Sequence, residues 1–273
     1  MKIAVIVSTY EQPDWLEKAL WGYSHQTHRD FELIVADDGS GEETRRRIER
    51  LRDATGLAIE HVWHEDRGYR RQRILNRAIL ESRADYLVLT DGDCIPREDF
   101  VAVHADRARP GHYMSGGYCK LPMELSRAIT PEDIRAQRCF DPAWLAERGL
   151  RSLSSRIKLA ARGRGALLDR LTTTPPTWNN CNSSGWKSDI LAVNGFDERI
   201  RYGGADRELG ARLRRNGVRP IQARHRAVVI HLDHDRSYAN EAERARSRAL
   251  RQAHDRDRTT WTEHGIRPGG RPV

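Results

Sequence analysis

Short apolar runs alternate with longer amphipathic segments over the first third of the chain. Most runs have strand length and few polar positions, as expected of strands covered on both faces. Between the runs, apolar residues recur every three or four positions, which is typical of helices. The pattern predicts strands at 3–7, 31–36, 58–63 and 86–89, and helices that begin at Pro13 and span 42–52 and 70–80. Strands and helices that alternate in this way predict a parallel α/β sheet with right-handed crossovers.

Polar side chains follow three of the predicted strands directly. They are Thr9 and Glu11, Asp37 and Asp38, and Asp91 and Asp93. Because ligands bind at the carboxyl ends of strands in such sheets, these clusters predict one binding site at that edge. Asp91 and Asp93 point to the same side of an extended backbone, so both carboxylates could hold one Mg²⁺ or Mn²⁺. A polar turn after the strand is the other explanation of this Asp-Gly-Asp sequence.

The pattern changes after Asp93. A strand is expected at 115–118, two short strands at 218–223 and 227–232, and a charged, mostly solvated helix at 241–258. Leucines alternate with basic residues over 147–171, which predicts a basic amphipathic helix that is interrupted near Gly163 and Gly165. Such a helix either packs on the surface with a solvated basic face or contacts an anionic membrane.

Composition and motifs narrow the class of protein. The 273 residues carry a formal net charge of +8, which permits a phosphorylated substrate, an anionic membrane or nucleic acid as partner. No nucleic-acid-binding signature, G-x-G-x-x-G fingerprint or P-loop is present, so nucleic acid is not an expected partner. Four widely spaced cysteines without a C-x-x-C pair favour a reducing cytosol. The first apolar run is too short for a signal peptide, and no run approaches the ~18 residues of a membrane span.

Several motifs, in order, resemble a known family. The amino-terminal half resembles the family 2 glycosyltransferases through VIVSTY (5–10), IVADDGS (34–40), NRAI (76–79) and LTDGD (89–93). The carboxyl-terminal half resembles the galactosyltransferase-type acceptor module through NGFDE (194–198) and GGADRE (203–208). Ala205 departs from that module, which has a glutamate at this position.

The resemblance implies a GT-A fold: a Rossmann-like α/β domain with a mixed, mostly parallel central sheet and helices on both faces. It implies a single domain over 1–240, in which 1–120 bind the nucleotide-sugar and 175–235 form the acceptor and catalytic half. Residues 241–273 would be a charged helix and tail. The implied cofactor is Mn²⁺ or Mg²⁺.

The resemblance also assigns roles by position. Asp206 would be the catalytic base; a helix N-cap is the alternative. The residues expected at the donor are Thr9, Glu11, Asp37, Asp38, Arg71, Asp91 and Asp93. The metal ligands would be Asp93 with His231 and His234, whose imidazoles suit Mn²⁺ better than Mg²⁺; structural hydrogen bonds are the other explanation of the histidines. Trp186, Asn182 and Gly204 are expected at the acceptor, although tryptophan often serves in packing.

The chain is therefore expected to be a cytoplasmic, metal-dependent, inverting glycosyltransferase that moves a hexose or N-acetylhexosamine from a UDP- or GDP-sugar. The acceptor would be a glycan or lipid-linked glycan in cell-surface polysaccharide or lipopolysaccharide synthesis, with peripheral membrane contact through 147–171. Two alternatives remain at this stage. A nucleotidyltransferase also uses paired carboxylates and a metal, but it should carry a glycine-rich basic loop after the first strand. A non-catalytic nucleotide-sugar or glycan-binding module would bind the donor without releasing nucleoside diphosphate.

Overall fold

The computed structural model describes residues 1–161, 163–234 and 241–267. Its first part alternates strands and helices as the apolar pattern predicts, and every predicted element is confirmed to within a few residues. The elements are β1 (Ile3–Thr9), α1 (Pro13–Ser24), β2 (Glu32–Asp37), α2 (Glu42–Thr55), β3 (Ile59–Trp63), α3 (Arg71–Glu81) and β4 (Tyr86–Asp91). These four strands are parallel, in the order β3-β2-β1-β4.

Among the described residues, the second part completes an eight-stranded sheet in the order β3-β2-β1-β4-β7-β6-β8-β5. Its strands are β5 (Cys94–Pro96), β6 (His112–Lys120), β7 (Ser183–Trp186) and β8 (Arg219–His231). Its helices are α4 (Phe100–Arg107), α5 (Met123–Ala128), α6 (Pro131–Arg135), α7 (Pro142–Glu147), α8 (Leu153–Ala160), α9 (Gly165–Leu171), α10 (Lys187–Ala192), α11 (Ala205–Arg215) and α12 (Glu241–Arg256), with a 3₁₀ turn at Arg138–Phe140. β7 is antiparallel to both β4 and β6, so the sheet is mixed.

Helices cover both faces of the sheet. Along β1, Ala4 and Ile6 belong to the apolar cluster that includes α3, α10 and α11. Val5 and Val7 belong to the cluster on the opposite face, which includes α1 and α2. Because successive side chains of a strand point to opposite faces, a strand buried throughout must be covered on both. The predicted α/β class and layering are confirmed.

One prediction is confirmed in part and another is corrected. The expected helix over 147–171 is interrupted as predicted, and it forms α8 and α9, but it begins at Leu153 and not at 147. The two strands expected at 218–223 and 227–232 are the single strand β8, whose pairing with β6 shifts register between Gly116 and Gly117. A side chain at Gly117 would overlap the carbonyl of Arg224, so the irregular register depends on a glycine there.

Two further findings concern the cysteines and the length of the helices. All four cysteines are buried and unpaired. Among the residues that the structure describes, no helix has the length and apolar character needed to span a bilayer.

Candidate active site

A cavity of about 780 Å³ lies at the carboxyl ends of β1 and β4. The strand-end residues Thr9, Asp91 and Asp93 line one side of it. The start of α11 and one face of α12 line another side. The sequence prediction that polar strand ends form one site is therefore consistent with the geometry, because parallel neighbours bring their ends to the same edge.

Asp91 forms an ion pair with Arg71, the first residue of α3. Ser8 joins the pair: its hydroxyl donates to Asp91 Oδ1 at 3.0 Å and accepts from Arg71 Nη2 at 2.9 Å. Burial raises the pKa of Asp91, although the Arg71 guanidinium opposes this shift. The contact fixes the Arg71 side chain in the cavity, where a cation can face an anionic ligand.

Asp93 lies beside two histidines from the end of β8 and the residues after it. His234 Nε2 is 3.2 Å and His231 Nε2 is 3.7 Å from Asp93 Oδ2. Burial would raise the pKa of Asp93, but the hydrogen bond from His234 and the nearby His231 outweigh it, so this pKa is lowered. Cys94 donates its S–H to Asp93 Oδ1 at 3.4 Å, and ligand atoms of Asp93, Cys94 and His231 lie within 4.8 Å of one another. Two imidazole nitrogens thus lie within 3.7 Å of one carboxylate oxygen, and carboxylate and imidazole ligands suit a first-row divalent ion such as Mn²⁺.

Asp38 and Thr9 line the part of the cavity next to β2. Asp38 Oδ1 is 2.8 Å from His64 Nε2, and its other oxygen accepts from the backbone N–H of Arg70 at 2.9 Å. Burial raises the pKa of Asp38 against the lowering influence of His64 and Arg70. The backbone N–H of Asp38 donates to the carbonyl of Thr9 at 3.0 Å, and this hydrogen bond joins the ends of β1 and β2.

Asp37 and Glu11, both predicted to bind the donor, do not line the cavity. Asp37 is fully buried; its oxygens accept from Ser40 N at 2.8 Å and contact His61 Nε2 at 2.9 Å. Glu11 has a positive φ of 48° and accepts from Gly41 N at 2.7 Å. Both carboxylates therefore hold the loop after β2, which presents Asp38.

Asp206 enters the cavity from the first turn of α11. Gly203 and Gly204 precede the helix with φ of 80° and 94°, a left-handed conformation that favours glycine. Asp206 Oδ1 accepts from Arg207 N at 2.8 Å, and its negative charge helps to raise the pKa of Arg71 against the lowering effect of burial. Asp206 and Arg71 therefore face the same space from different elements.

Trp186 and Asn182, both predicted at the acceptor, do not line the cavity: Trp186 is the last residue of β7, and Asn182 directly precedes this strand. Trp186 pairs with Tyr86 at the amino end of β4, the end opposite to the cavity, and donates its indole N–H to the carbonyl of Arg109 at 2.8 Å. Asn182 is fully buried, and its amide group donates to the carbonyls of Gly117 and Ala227 at 2.8 and 3.0 Å. Gly204, the third predicted acceptor residue, does line the cavity.

Sequence reasoning missed two groups that line the cavity. One is the aromatic pair Tyr69 and Tyr202, whose ring centroids are 4.3 Å apart. The other is a set of α12 arginines, Arg244, Arg248 and Arg251. Their spacing of four and three residues places them on one helix face, and that spacing was the available signal.

Residues 4–119 match the model of the family described as Glycosyl transferase family 2. This segment is therefore similar to the family 2 glycosyltransferases over somewhat less than half of the chain. The match begins in β1 and ends in β6, so it includes the strand ends at Thr9, Asp38 and Asp93 but not α11 or α12.

Relatives extend the likeness beyond residues 4–119. Validoxylamine A glucosyltransferase of Streptomyces hygroscopicus subsp. jinggangensis (strain 5008) is 27% identical over 250 residues, which are 86% of this chain and 56% of that protein. The uncharacterized glycosyltransferase YfnE of Bacillus subtilis (strain 168) is 25% identical over 263 residues, covering 86% of this chain and 65% of that protein. The chain thus spans between about half and two thirds of the length of these relatives.

Solved structures share the fold. The mannosyltransferase PcManGT from Pyrobaculum calidifontis, in complex with GDP-Man and Mn²⁺, superposes with a TM-score of 0.59 at 20% identity over 99% of this chain and 65% of that one. S. aureus TarS 1–349 in complex with UDP-GlcNAc gives a TM-score of 0.53 at 16% identity over 87% of this chain and 60% of that one. The fold is that of the GT-A glycosyltransferases, as predicted.

Proposed function

We propose that this chain transfers a sugar, with inversion and with the help of a divalent metal ion, from a nucleoside-diphosphate sugar to a hydroxyl group. One observation carries the proposal: a carboxylate with two imidazoles (Asp93, His231, His234) and a second carboxylate (Asp206) line one cavity from different elements. The sugar nucleotide complexes of PcManGT and TarS, together with the match to family 2, support this class of donor.

Asp93, His231 and His234 would hold the metal ion. When bound, a divalent ion would neutralise negative charge that develops on the departing diphosphate. Arg71, fixed by Asp91 and Ser8, would place a guanidinium group on the same diphosphate. Thr9 and Asp38 would contact the nucleoside, on the part of the cavity next to β2.

Asp206 would act as general base on the acceptor. Its carboxylate would take the proton of the acceptor hydroxyl while the hydroxyl oxygen forms a bond to the anomeric carbon. The bond from that carbon to the diphosphate oxygen breaks, and the nucleoside diphosphate leaves with the electron pair. Attack from the side opposite to the leaving group inverts the configuration at the anomeric carbon.

The acceptor half, 175–235, would have the role of a galactosyltransferase-type module, in which the Asn194-Gly195 turn orients α11. Asn76 clamps this turn: it accepts from Phe196 N at 2.8 Å and donates to Phe196 O at 2.9 Å. Because α3 carries Asn76, the clamp joins the donor half to the half that presents Asp206. We therefore expect NRAI (76–79) and NGFDE (194–198), which do not line the cavity, to serve the structural contact between the two halves.

A donor panel tests the proposal. Purified protein is incubated with UDP- and GDP-sugars, with Mn²⁺ or with a chelator, and release of nucleoside diphosphate is measured. We expect release with at least one donor, and its loss on chelation. Asp206→Asn should reduce turnover roughly 10²–10⁴-fold, the usual contribution of a general base, while donor affinity is retained. Asn keeps an oxygen that can accept from Arg207 N, so thermal unfolding should be unchanged.

Two outcomes would contradict this function. Donor binding without any release of nucleoside diphosphate would indicate a binding module. Turnover within tenfold of wild type in both Asp93→Asn and Asp206→Asn would show that the site is assigned wrongly. Asp53→Asn is a matched control, because Asp53 is an exposed carboxylate on α2 that lies outside the cavity lining.

We also propose that α8 and α9 contact an anionic membrane, where a lipid-linked acceptor of surface polysaccharide or lipopolysaccharide synthesis would be found. Both helices pack against β8 and expose large apolar side chains: Leu153 (67%), Ile157 (48%), Leu167 (58%) and Leu171 (67%). Exposed arginines accompany them, which suits an anionic lipid surface. Sedimentation with vesicles that contain phosphatidylglycerol should exceed that with neutral vesicles and should fall in Leu153→Ser/Leu171→Ser. Equal sedimentation in all cases would contradict the contact.

A further inference from the structure

The α12 side of the cavity carries a strong excess of positive charge. Besides Arg244, Arg248 and Arg251, Arg207 of α11 lines it. Asp206 is the single carboxylate that α11 and α12 contribute to the lining. Within 1–161, 163–234 and 241–267, the guanidinium groups of the three α12 arginines have no hydrogen bond or ion pair with another residue. The field on this side therefore favours an anion.

Elsewhere in the cavity each carboxylate already has a partner. Asp91 is paired with Arg71, Asp38 contacts His64, and Asp93 contacts His234. The proposed metal ion would add positive charge at Asp93, where the diphosphate of the donor is expected. The α12 arginines are therefore not needed as partners for these carboxylates.

Packing, rather than charge alone, holds α12 in place. His254 Nδ1 is 2.8 Å from Glu208 Oε1 on α11, and Arg215 of α11 forms an ion pair with Asp255. Ser247 is buried, and Leu250 packs against the core cluster that includes α11. These contacts fix which face of α12 is turned to the cavity, so the arginine row is a positioned surface rather than a freely solvated one.

Arg251 links this row to the proposed catalytic base. A side chain at Gly204 would overlap the Arg251 guanidinium, which shows that the two are in direct contact. Gly204 is two residues before Asp206 in the sequence and caps the same helix. An anion held by the row would therefore lie next to the group that must contact the acceptor hydroxyl.

We propose that Arg244, Arg248 and Arg251 bind a phosphate or carboxylate group of the acceptor, so that the substrate class is an anionic alcohol. This inference rests on the proposed function, because it places the acceptor at Asp206. Guanidinium groups donate in a planar fork that matches both phosphate and carboxylate oxygens. The contact would orient the neighbouring hydroxyl toward Asp206.

Calorimetric titration tests the proposal on the full chain, with and without Mn²⁺ and UDP or GDP. The titrants are inorganic phosphate, glycerol phosphate, glucuronate and neutral glucose. We expect at least one anion to bind, and glucose to bind at least about tenfold more weakly. Arg244→Gln/Arg248→Gln should weaken binding of the anion by about tenfold or more and leave nucleotide affinity within about twofold. Arg246→Gln is the matched control, because Arg246 lies on α12 but lines a separate depression with Glu198 and Glu243.

Two results would overturn the inference. One is binding of none of the three anions by wild-type protein. The other is a double variant that loses nucleotide affinity but keeps anion affinity, which would assign the arginines to the donor. Both variants replace exposed side chains, and an unchanged unfolding temperature confirms that they fold. A different result would contradict the proposed enzyme activity: no nucleoside diphosphate would be released in the donor panel, whether or not the anions bind.

Discussion

The position of Asp206 depends on a buried ion pair one turn along the same helix. Arg212 and Glu208 have side-chain exposures of 0% and 2%, and two bonds join them, Nε to Oε1 at 2.6 Å and Nη2 to Oε2 at 2.7 Å. Arg212 also donates to the carbonyls of Val193 and Gly195. The pair thus ties α11 to the turn that follows α10, and both charged side chains are away from water.

Glu208→Gln should therefore be strongly destabilising. The variant keeps the shape of the side chain but leaves the Arg212 guanidinium buried without a counter-charge. Removing one partner of a buried pair costs about 3–5 kcal/mol, a large part of the roughly 5–15 kcal/mol that stabilises a typical domain. Urea unfolding followed by circular dichroism at pH 7 measures the difference. Glu42→Gln, which breaks exposed ion pairs with Arg45 and Arg46, should leave the midpoint unchanged.

The pH dependence gives a second test of the same reasoning. Burial would raise the pKa of Glu208, but Arg212 and His254 outweigh it and hold this pKa below its usual value. A lowered folded-state pKa gives stability that is present above the unfolded value, about 4.3, and is lost as the pH falls through the folded one. The deficit of Glu208→Gln should thus be full at pH 7 and shrink below about pH 4.

A double variant separates lost charge from lost packing. Glu208→Leu/Arg212→Met leaves no buried charge, so it should recover much of the stability that Glu208→Gln loses. A cost below about 1 kcal/mol for Glu208→Gln at pH 7, or a deficit that persists undiminished at pH 3, would refute the account. The pair would then not be what holds α11.

Two further predictions concern the framework. Burial lowers the pKa of His104 to about 3, so this side chain is neutral in the folded protein, whereas in the unfolded chain it binds a proton near pH 6.5. The free energy of unfolding should therefore fall as the pH drops below 6.5. His104→Gln should reduce the slope of the free energy of unfolding against pH, between pH 6 and 4, by about 1.4 kcal/mol per pH unit. Equal slopes in urea unfolding would contradict this. Gly195→Ala should cost about 1–3 kcal/mol in the same assay, because φ is 67° and the new Cβ would be 2.5 Å from Asn76 Oδ1. Gly217→Ala, with φ of 89° and no atom within 4 Å of the new Cβ, should cost less; the reverse order would contradict the argument.

Asn182 shows why a polar motif is a weak guide to a ligand. Its amide group donates both hydrogens to backbone carbonyls, so its oxygen accepts from His104 Nε2 at 3.1 Å. His104 Nδ1 then accepts from Ser184, whose oxygen is 2.7 Å from it and 2.7 Å from the hydroxyl of Tyr86. Every polar group of Asn182 is satisfied inside the sheet. A segment rich in asparagine and serine has the same sequence pattern whether its side chains bind a substrate or form hydrogen bonds inside the protein.

The sequence by itself determined the elements whose signal is local. A few consecutive residues are enough to recognise such elements: the apolar runs of β1 and β4, the polar residues at their ends, and the glycines before α11. From these, the fold class and the grouping of Thr9, Asp38, Asp91 and Asp93 at one edge follow. The edge is shared because parallel strands must end together.

Only the tertiary structure decided which distant segments join that edge. Insertion of β7 between β4 and β6 takes Trp186 to the far end of the sheet, and its Ser-Ser-Gly sequence carries no local strand signal. Docking of α12 on α11 turns three arginines of a charged, outwardly solvated segment into part of a cavity wall. Local periodicity fixes the faces of an element, whereas the partner of each face depends on contacts between residues far apart in the chain.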